Sequence, residues 1–316
     1  MQVRMERETE RLAVEMIRVG YMSDIHLEIE RNDLAQRRHL AGGGHWHMPV
    51  TTPEEAARQA IVGHPSLGPS LAEMKGKTDL FVLAGDIDLD HRGFEYARQV
   101  AAYLGVPIVY IMGNHEGYGG CDLDLMLPEL RAMAAASSGE VTFLENESAT
   151  FNLAGERLHV LGCTLWTDYM LLGDSESAMR SASHGINDHR CIRLRDRFLS
   201  PLAAKGLHEA SRNWLEGEMA RIREREGERA KILIVTHHAP HPHGTAKQHR
   251  GGRLSPAFAS DMTVEIETWH PVAWIFGHTH YSCQLEIGGV PVVSAQRGYL
   301  PDPGAKEFRP RVIELE

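Results

Sequence analysis

The sequence predicts an α/β chain of two packed sheets flanked by helices, and three observations carry that expectation. Short apolar runs stop abruptly at polar residues, as buried strands do when they deliver side chains to a sheet edge. Helical stretches alternate with those runs, the order that layers helices on a sheet. Further short strand-like segments in the middle and tail of the chain supply a second sheet.

In chain order, residues 1–15 mix both charge signs ahead of a possible second start at Met16, and read as a flexible extension. The first group of strands is Ile17 to Ser23, Leu80 to Ala84, Ile108 to Met112, Ile232 to Thr236 and Val272 to Phe276. Helices are expected at Glu54 to Val62, Gly93 to Leu104, Leu127 to Ala135 and Glu209 to Arg225. The last of these carries an apolar stripe of Leu215, Met219 and Ile222, the spacing of a core-facing helix. The second group of strands is Val141 to Leu144, Thr150 to Leu153, Leu158 to Leu161, Gln284 to Glu286, Val290 to Ser294 and Val312 to Leu315. Between Trp166 and Asp196 the text is polar and irregular, the character of a lid and not of core. Residues 16–316 thus form a single domain, with an insertion at 28–78 and a cap at 166–215.

Composition narrows the function. The chain of 316 residues carries 33 Lys and Arg against 43 Asp and Glu, a formal charge of −10. It has no basic block to track a nucleic-acid backbone, which argues against long DNA or RNA. Nineteen histidines stand against four scattered cysteines. Imidazole and carboxylate suit transition metals, and thiols without paired spacing read as reduced and structural. No apolar run approaches the roughly 18 residues of a membrane helix. The N-terminus lacks an apolar signal core, so a cytoplasmic location is expected.

The chemistry sits where the first group of strands ends. Ser23-Asp24-Ile25-His26 places two metal-capable side chains two residues apart. Ala84-Gly85-Asp86 lets the backbone turn sharply, so that one carboxylate can bridge two cations. Gly113-Asn114-His115-Glu116 offers an amide oxygen for a metal and an imidazole beside it. Thr236-His237-His238 and Gly277-His278-Thr279-His280 add imidazoles after the remaining two strands. Each signal is weak alone, and together they are specific.

These residues resemble the calcineurin-like metallophosphoesterase family, whose signature runs Asp-x-His, Gly-Asp, Gly-Asn-His-Asp/Glu, His, then Gly-His-x-His in the same order. The resemblance spans nearly all of the chain from Met16. It implies a two-sheet β-sandwich flanked by helices, with the site at one edge. It further implies that Asp24, His26 and His280 hold one metal, that Asn114, His237 and His278 hold the other, and that Asp86 bridges them. His238 competes with His237, because Ala239 stands where the family's turn often has proline. Two divalent or mixed-valence transition-metal ions follow, with manganese, iron or zinc expected. The implied reaction is hydrolysis of a small phosphorylated substrate, a diester in preference to a monoester. The resemblance implies in-line attack by a metal-bridging hydroxide, with His115 as the proton donor or a transition-state contact. A nuclease and a non-catalytic scaffold of the same fold are the alternatives. The negative charge argues against the first, and the complete ligand set against the second.

Other residues are candidates for the substrate pocket. His45 and His47, in Gly42-Gly43-Gly44-His45-Trp46-His47, can drape over a substrate, although glycine-rich insertions are commonly plain surface loops. Trp166 and Asp168, and Asn187 with Arg190, resemble segments that frame the pocket in a bacterial branch of the family. Arg190 has the planar fork to pair with a phosphate, against an ordinary salt bridge within the cap. Asp88 is placed equally well to orient a ligating imidazole or to be a solvated loop acid. Gln296-Arg297-Gly298-Tyr299 resembles the branch's closing Asn-Pro-Arg-Gly-Tyr, but Ala295 and Gln296 replace its Asn-Pro, which leaves Tyr299 without an assigned role.

Overall fold

The computed structural model describes residues 16–29, 67–299, 302 and 304–316. The N-terminal extension, the helix expected at Glu54 to Val62, most of the 28–78 insertion, and His45 and His47 lie outside the described residues.

One sheet contains β1 (Ile17–Met22), β2 (Leu80–Ala84), β3 (Ile108–Ile111), β4 (Val141–Phe143) and β13 (Arg311–Leu315), in the order β13-β1-β2-β3-β4. Strands β1 to β4 pair in parallel, and β13 closes the edge antiparallel to β1. The second sheet contains β5 (Glu147–Leu153), β6 (Glu156–Cys163), β9 (Lys231–Thr236), β10 (Ala273–Ile275), β11 (Gln284–Ile287) and β12 (Val290–Val293), in the order β11-β12-β10-β9-β6-β5. Its four central strands are parallel, and a hairpin closes each edge. A two-stranded ribbon, β7 (Arg193–Leu194) with β8 (Arg197–Phe198), stands apart.

The pairing corrects one expectation. The two sequence groups do not form one sheet each. The first sheet takes β1, β2 and β3 from the first group and β4 and β13 from the second, while β9 and β10 lie in the second sheet. A local pattern states that a segment is extended and buried, but ladder partners are chosen by long-range packing.

Two apolar layers hold the sandwich together. Along β9, Leu233 and Val235 face the layer shared by both sheets, whereas Ile232 and Ile234 face a second layer against α6 (Pro201–Glu226) and α7 (Thr263–Trp269). That alternation is the two-residue period of a strand covered on both faces, which is why β9 reads as a continuous apolar run. The stripe Leu215, Met219 and Ile222 of α6 is buried in the outer layer, as expected. The helix begins at Pro201 and not near Glu209, because the Ser200 side chain accepts from Ala203 N–H and Pro201 needs no donor at the first position. On the other side, α1 (Leu67–Ala72), α2 (Arg92–Leu104) and α3 (Leu123–Ala136) cover the first sheet. Asp122 caps α3 at Asp124 N–H, ahead of the expected start at Leu127.

The segment read as irregular is more ordered than its text. It contains α4 (Ser175–Gly185), capped by Asp174, and the short α5 (Asp188–Cys191). Trp166, Tyr169, Ala182 and Ile192 are buried. Most positions of α4 are Ser, Arg, Glu or His, so its thin apolar face of Ala178 and Ala182 leaves little periodic signal. Among the described residues, no helix is long and apolar enough to cross a membrane.

Candidate metal centre

Every residue of the expected ligand set lies just beyond the C-terminal end of a parallel strand. Asp24 and His26 follow β1, Asp86 follows β2, Asn114 and His115 follow β3, His237 follows β9, and His278 and His280 follow β10. Carboxyl ends of parallel strands are where open α/β sheets gather their ligands. Here the ends of two sheets meet. His278 N–H donates to both carboxylate oxygens of Asp24 (2.9 and 3.0 Å), and Arg297 N–H donates to the Ser23 carbonyl.

The turns that aim these side chains are strained. Asp24, His26, Asp86, His278 and His280 all adopt positive φ, between 49° and 74°, a region non-glycine residues rarely enter. Strain of this kind persists only where the surroundings hold it, and it concentrates at functional sites. Part of the hold comes from Glu116, the last residue of Gly-Asn-His-Glu. Its buried carboxylate accepts from the backbone N–H groups of Asp86, Ile87 and Gly113 and from the Tyr110 hydroxyl, at 2.7–3.1 Å. It ties the β2 and β3 loops together.

Two clusters result, and they share Asp86. In the first, His26 Nε2 lies 2.9 Å from His280 Nε2 and 3.7 Å from Asp86 Oδ2, and His280 Nε2 lies 3.7 Å from Asp24 Oδ1. In the second, His237 Nε2 lies 3.3 Å from Asp86 Oδ1, 3.1 Å from Asn114 Oδ1 and 3.2 Å from His278 Nδ1. Asp24, His26 and His280 form one group able to hold a cation, Asp86, His237 and His278 form another, and His26, Asp86 and His115 form a third between them.

Proton accounting shows that the donor set fits cations. His26 Nδ1 faces the Glu28 carboxylate at 3.0 Å and His280 Nδ1 faces Asp302 at 3.3 Å, so each ring directs an N–H there. Their Nε2 lone pairs then point at each other. His237 Nδ1 donates to the Ala84 carbonyl (2.9 Å), which turns its Nε2 lone pair toward Asp86 and Asn114 oxygens. Acceptors converging on acceptors are costly unless a positive charge sits between them. Burial pushes the His278 and His280 pKa values down, which keeps those rings neutral and able to ligate. Burial opposes ionisation of Asp86, yet the imidazoles of His237, His115 and His26 hold its carboxyl well below the usual range. The same field overcomes burial at His237 and raises its pKa to about 10. A field that draws a proton to this point draws a metal cation as well.

The site lies around these clusters. His115 donates its backbone N–H to Asp86 Oδ1 (2.8 Å), its ring stacks on Tyr118 with centroids 4.2 Å apart, and its Nε2 lies 3.3 Å from the Tyr299 hydroxyl. Although burial disfavours the charged ring, Asp86 and Glu28 raise the His115 pKa to about 9; a cation beside Asp86 opposes that rise. His238 turns away from Asp86, with Nδ1 3.2 Å from the Thr164 carbonyl and its ring against Trp166 and His278.

The pocket candidates fare unevenly. Trp166 is buried against His238, and Asp168 accepts from Met170 N–H. Asn187 and Arg190 bond each other at the surface (2.7 Å). Between them, Asp188 is the residue that enters the site, accepting from Asn114 Nδ2 (2.8 Å) and the Tyr118 hydroxyl (2.5 Å). Asp88 accepts from Leu89 N–H and Arg92, and the imidazole N–H groups of His26 and His280 face Glu28 and Asp302 instead. Tyr299, left without a role in the sequence, packs on His26 and His280, with centroids 4.6 and 4.5 Å away. Sequence reasoning therefore missed Glu28, Asp188, Tyr299 and Asp302. Two of them had a local signal: Glu28 as the third member of the alternation Asp24, His26, Glu28, and Tyr299 as the last letter of Gln296-Arg297-Gly298-Tyr299.

Close packing leaves no slack at Gly113, where a Cβ would overlap the Asp86 carboxylate and lie 2.7 Å from both Asp86 N and His237 Cε1. Gly113→Ala is expected to cost about 1–3 kcal/mol of stability. It should also weaken manganese binding, with thermal unfolding and titration calorimetry as the two readouts. A variant with wild-type values for both would show that the loop has room.

A sandwich of this topology, with clusters of candidate ligands sharing a carboxylate at its edge, fits a metal-dependent phosphoesterase. The chain belongs to the calcineurin-like phosphoesterase family, whose model matches residues 17–282. Membership carries metal-dependent phosphoester hydrolysis on two divalent metal ions. The uncharacterized protein L509 of Acanthamoeba polyphaga mimivirus is 24% identical over 240 residues, covering 71% of this chain and 81% of that one. Among solved structures, the phosphopantetheinyl hydrolase of Mycobacterium tuberculosis shares the fold with a TM-score of 0.57. It is 14% identical and covers 92% of this chain and 99% of its own. TT1561 of Thermus thermophilus aligns with a TM-score of 0.48 at 12% identity, over 95% of this chain and 100% of its own.

Proposed function

We propose that this protein hydrolyses a small phosphodiester, with Asp24, His26, His280 and Asp86 holding one metal and Asp86, Asn114, His237 and His278 holding the other. The observation that carries the reading is Asp86 itself, which turns one carboxylate oxygen toward each cluster. Manganese, iron or zinc suits these nitrogen and oxygen donors. When bound, the paired ions acidify water and neutralise phosphoryl oxygens.

The remaining work falls to the chain's own side chains. Asn114 is oriented by its amide N–H bond to Asp188, which leaves Oδ1 facing His237 and His278. His115 directs Nε2 toward the Tyr299 hydroxyl, in position to protonate a departing oxygen. The rings of Tyr118 and Tyr299 flank it and suit an organic second ester group. The formal charge of −10 favours a small substrate over a nucleic-acid polymer.

The test is an assay of metal-analysed protein on bis-p-nitrophenyl phosphate and p-nitrophenyl phosphate. Faster turnover of the diester is expected, abolished by EDTA and restored by Mn²⁺. Hydrolysis of neither compound, nor of any ester in a panel of phosphorylated metabolites, would refute the enzyme reading. A monoester preference would refute the diester part alone.

A further inference from the structure

We propose that Glu28 is a positioning residue that orients a metal ligand and the proton donor with one oxygen, and so couples metal binding to protonation of the leaving group. The inference rests on the phosphoesterase reading for its second half only.

Glu28 Oε1 lies 3.0 Å from His26 Nδ1 and 3.0 Å from His115 Nδ1. A carboxylate accepts and cannot donate, so each ring directs an N–H at it. The consequence is felt at the far side of each ring. His26 is left with Nε2 toward His280 and Asp86, and His115 with Nε2 toward Tyr299. The two rings meet edge to face with centroids 4.4 Å apart. Glu28 is only 6% exposed, and its second oxygen has no hydrogen-bond partner among the described residues. The cost of burying a carboxylate is therefore offset chiefly by the two imidazoles, which ties its placement to them.

The remaining contacts separate this role from simple support of the loop. The β1 loop is held without it: Ile25 N–H and His26 N–H donate to the Asp86 carbonyl, and the Arg297 guanidinium donates to the Ile25 carbonyl. Glu28 is not needed for that, so its side chain serves the two rings.

The experiment compares Glu28→Ala, Glu28→Gln, His115→Ala and the double variant Glu28→Ala/His115→Ala with the full-length wild type. Mn²⁺ affinity of the metal-free proteins is measured by calorimetry. Turnover is measured on a diester with a p-nitrophenoxide leaving group and one with an alkoxide leaving group. Glu28→Ala should bind Mn²⁺ about 10–100-fold more weakly, and Glu28→Gln, which keeps an acceptor oxygen and the shape, less so. Beyond the loss that metal resupply corrects, Glu28→Ala should slow the alkoxide ester by about 10²-fold more than the p-nitrophenyl ester. The double variant should add nothing to the leaving-group selectivity of His115→Ala. Equal losses on both esters at unchanged Mn²⁺ affinity would mean a structural role and overturn the proposal, as would wild-type behaviour of Glu28→Gln and Glu28→Ala. If the wild type hydrolyses neither ester, the phosphoesterase reading fails, and Glu28's hold on His26 stands or falls on Mn²⁺ affinity alone.

Discussion

Asp86→Asn should lose about 10³-fold in kcat and much of its bound metal. The carboxylate faces His26 with Oδ2 and His237 with Oδ1, and it accepts the His115 backbone N–H as well. An amide of the same shape has one acceptor oxygen, so an NH₂ group must point into one cluster. It also removes the charge set between two cations. A unit charge at about 4 Å and an effective dielectric near 20 contributes about 4 kcal/mol. The fold should survive, because the loop is held through its backbone by Glu116, which accepts from Asp86 N–H and Ile87 N–H. Metal content by emission spectroscopy, kcat on the diester and the unfolding midpoint of metal-free protein give three independent readings. Wild-type turnover at full metal occupancy would falsify the assigned bridge.

His115→Ala should separate protonation from metal binding. Its side chain is the part that faces Tyr299 and Glu28, whereas its contact with Asp86 Oδ1 runs through backbone N–H and survives truncation. Metal content should therefore stay at the wild-type level while kcat falls by about 10²–10⁴-fold, the range for loss of a placed general acid. The deficit should shrink for leaving groups that depart without a proton. The contrast with Asp86→Asn is the useful result: one variant loses metal with turnover, and the other loses turnover alone. A His115→Ala protein that turns over at the wild-type rate, or sheds its metal, contradicts the assignment.

Part of this site is visible in one dimension because metal chemistry and strand geometry leave short signatures. A buried strand ends where its apolar run ends, and a ligand must sit within a residue or two of that end. Asp24, Asp86, Asn114, His237 and His278 are each picked out as candidates that way. Glu116 is legible as the fourth letter of Gly-Asn-His-Glu, but its work, collecting three backbone N–H groups from two loops, is a property of folded neighbours. The cap shows the same limit. Asn187 and Arg190 have the chemistry to bind a phosphate and yet bond each other at the surface, while Asp188 between them reaches Asn114, 74 residues away in sequence. Side-chain type selects candidates, and only the path of the chain shows which of three neighbours faces inward.

The sequence by itself determined the layered α/β class, the strand ends that carry the candidate ligands, and the donor types. These depend on local apolar periodicity and on the chemistry of single residues. Tertiary structure decided that the five strands carrying the candidate ligands divide between two sheets, with β1, β2 and β3 in one and β9 and β10 in the other. It also decided that Asp86 stands between both clusters, and that Glu28, Asp188, Tyr299 and Asp302 orient the side chains around it. The physical reason is that these supporting contacts are mostly long-range pairings made by whole elements, and residues so far apart in the chain share no local pattern that could announce them.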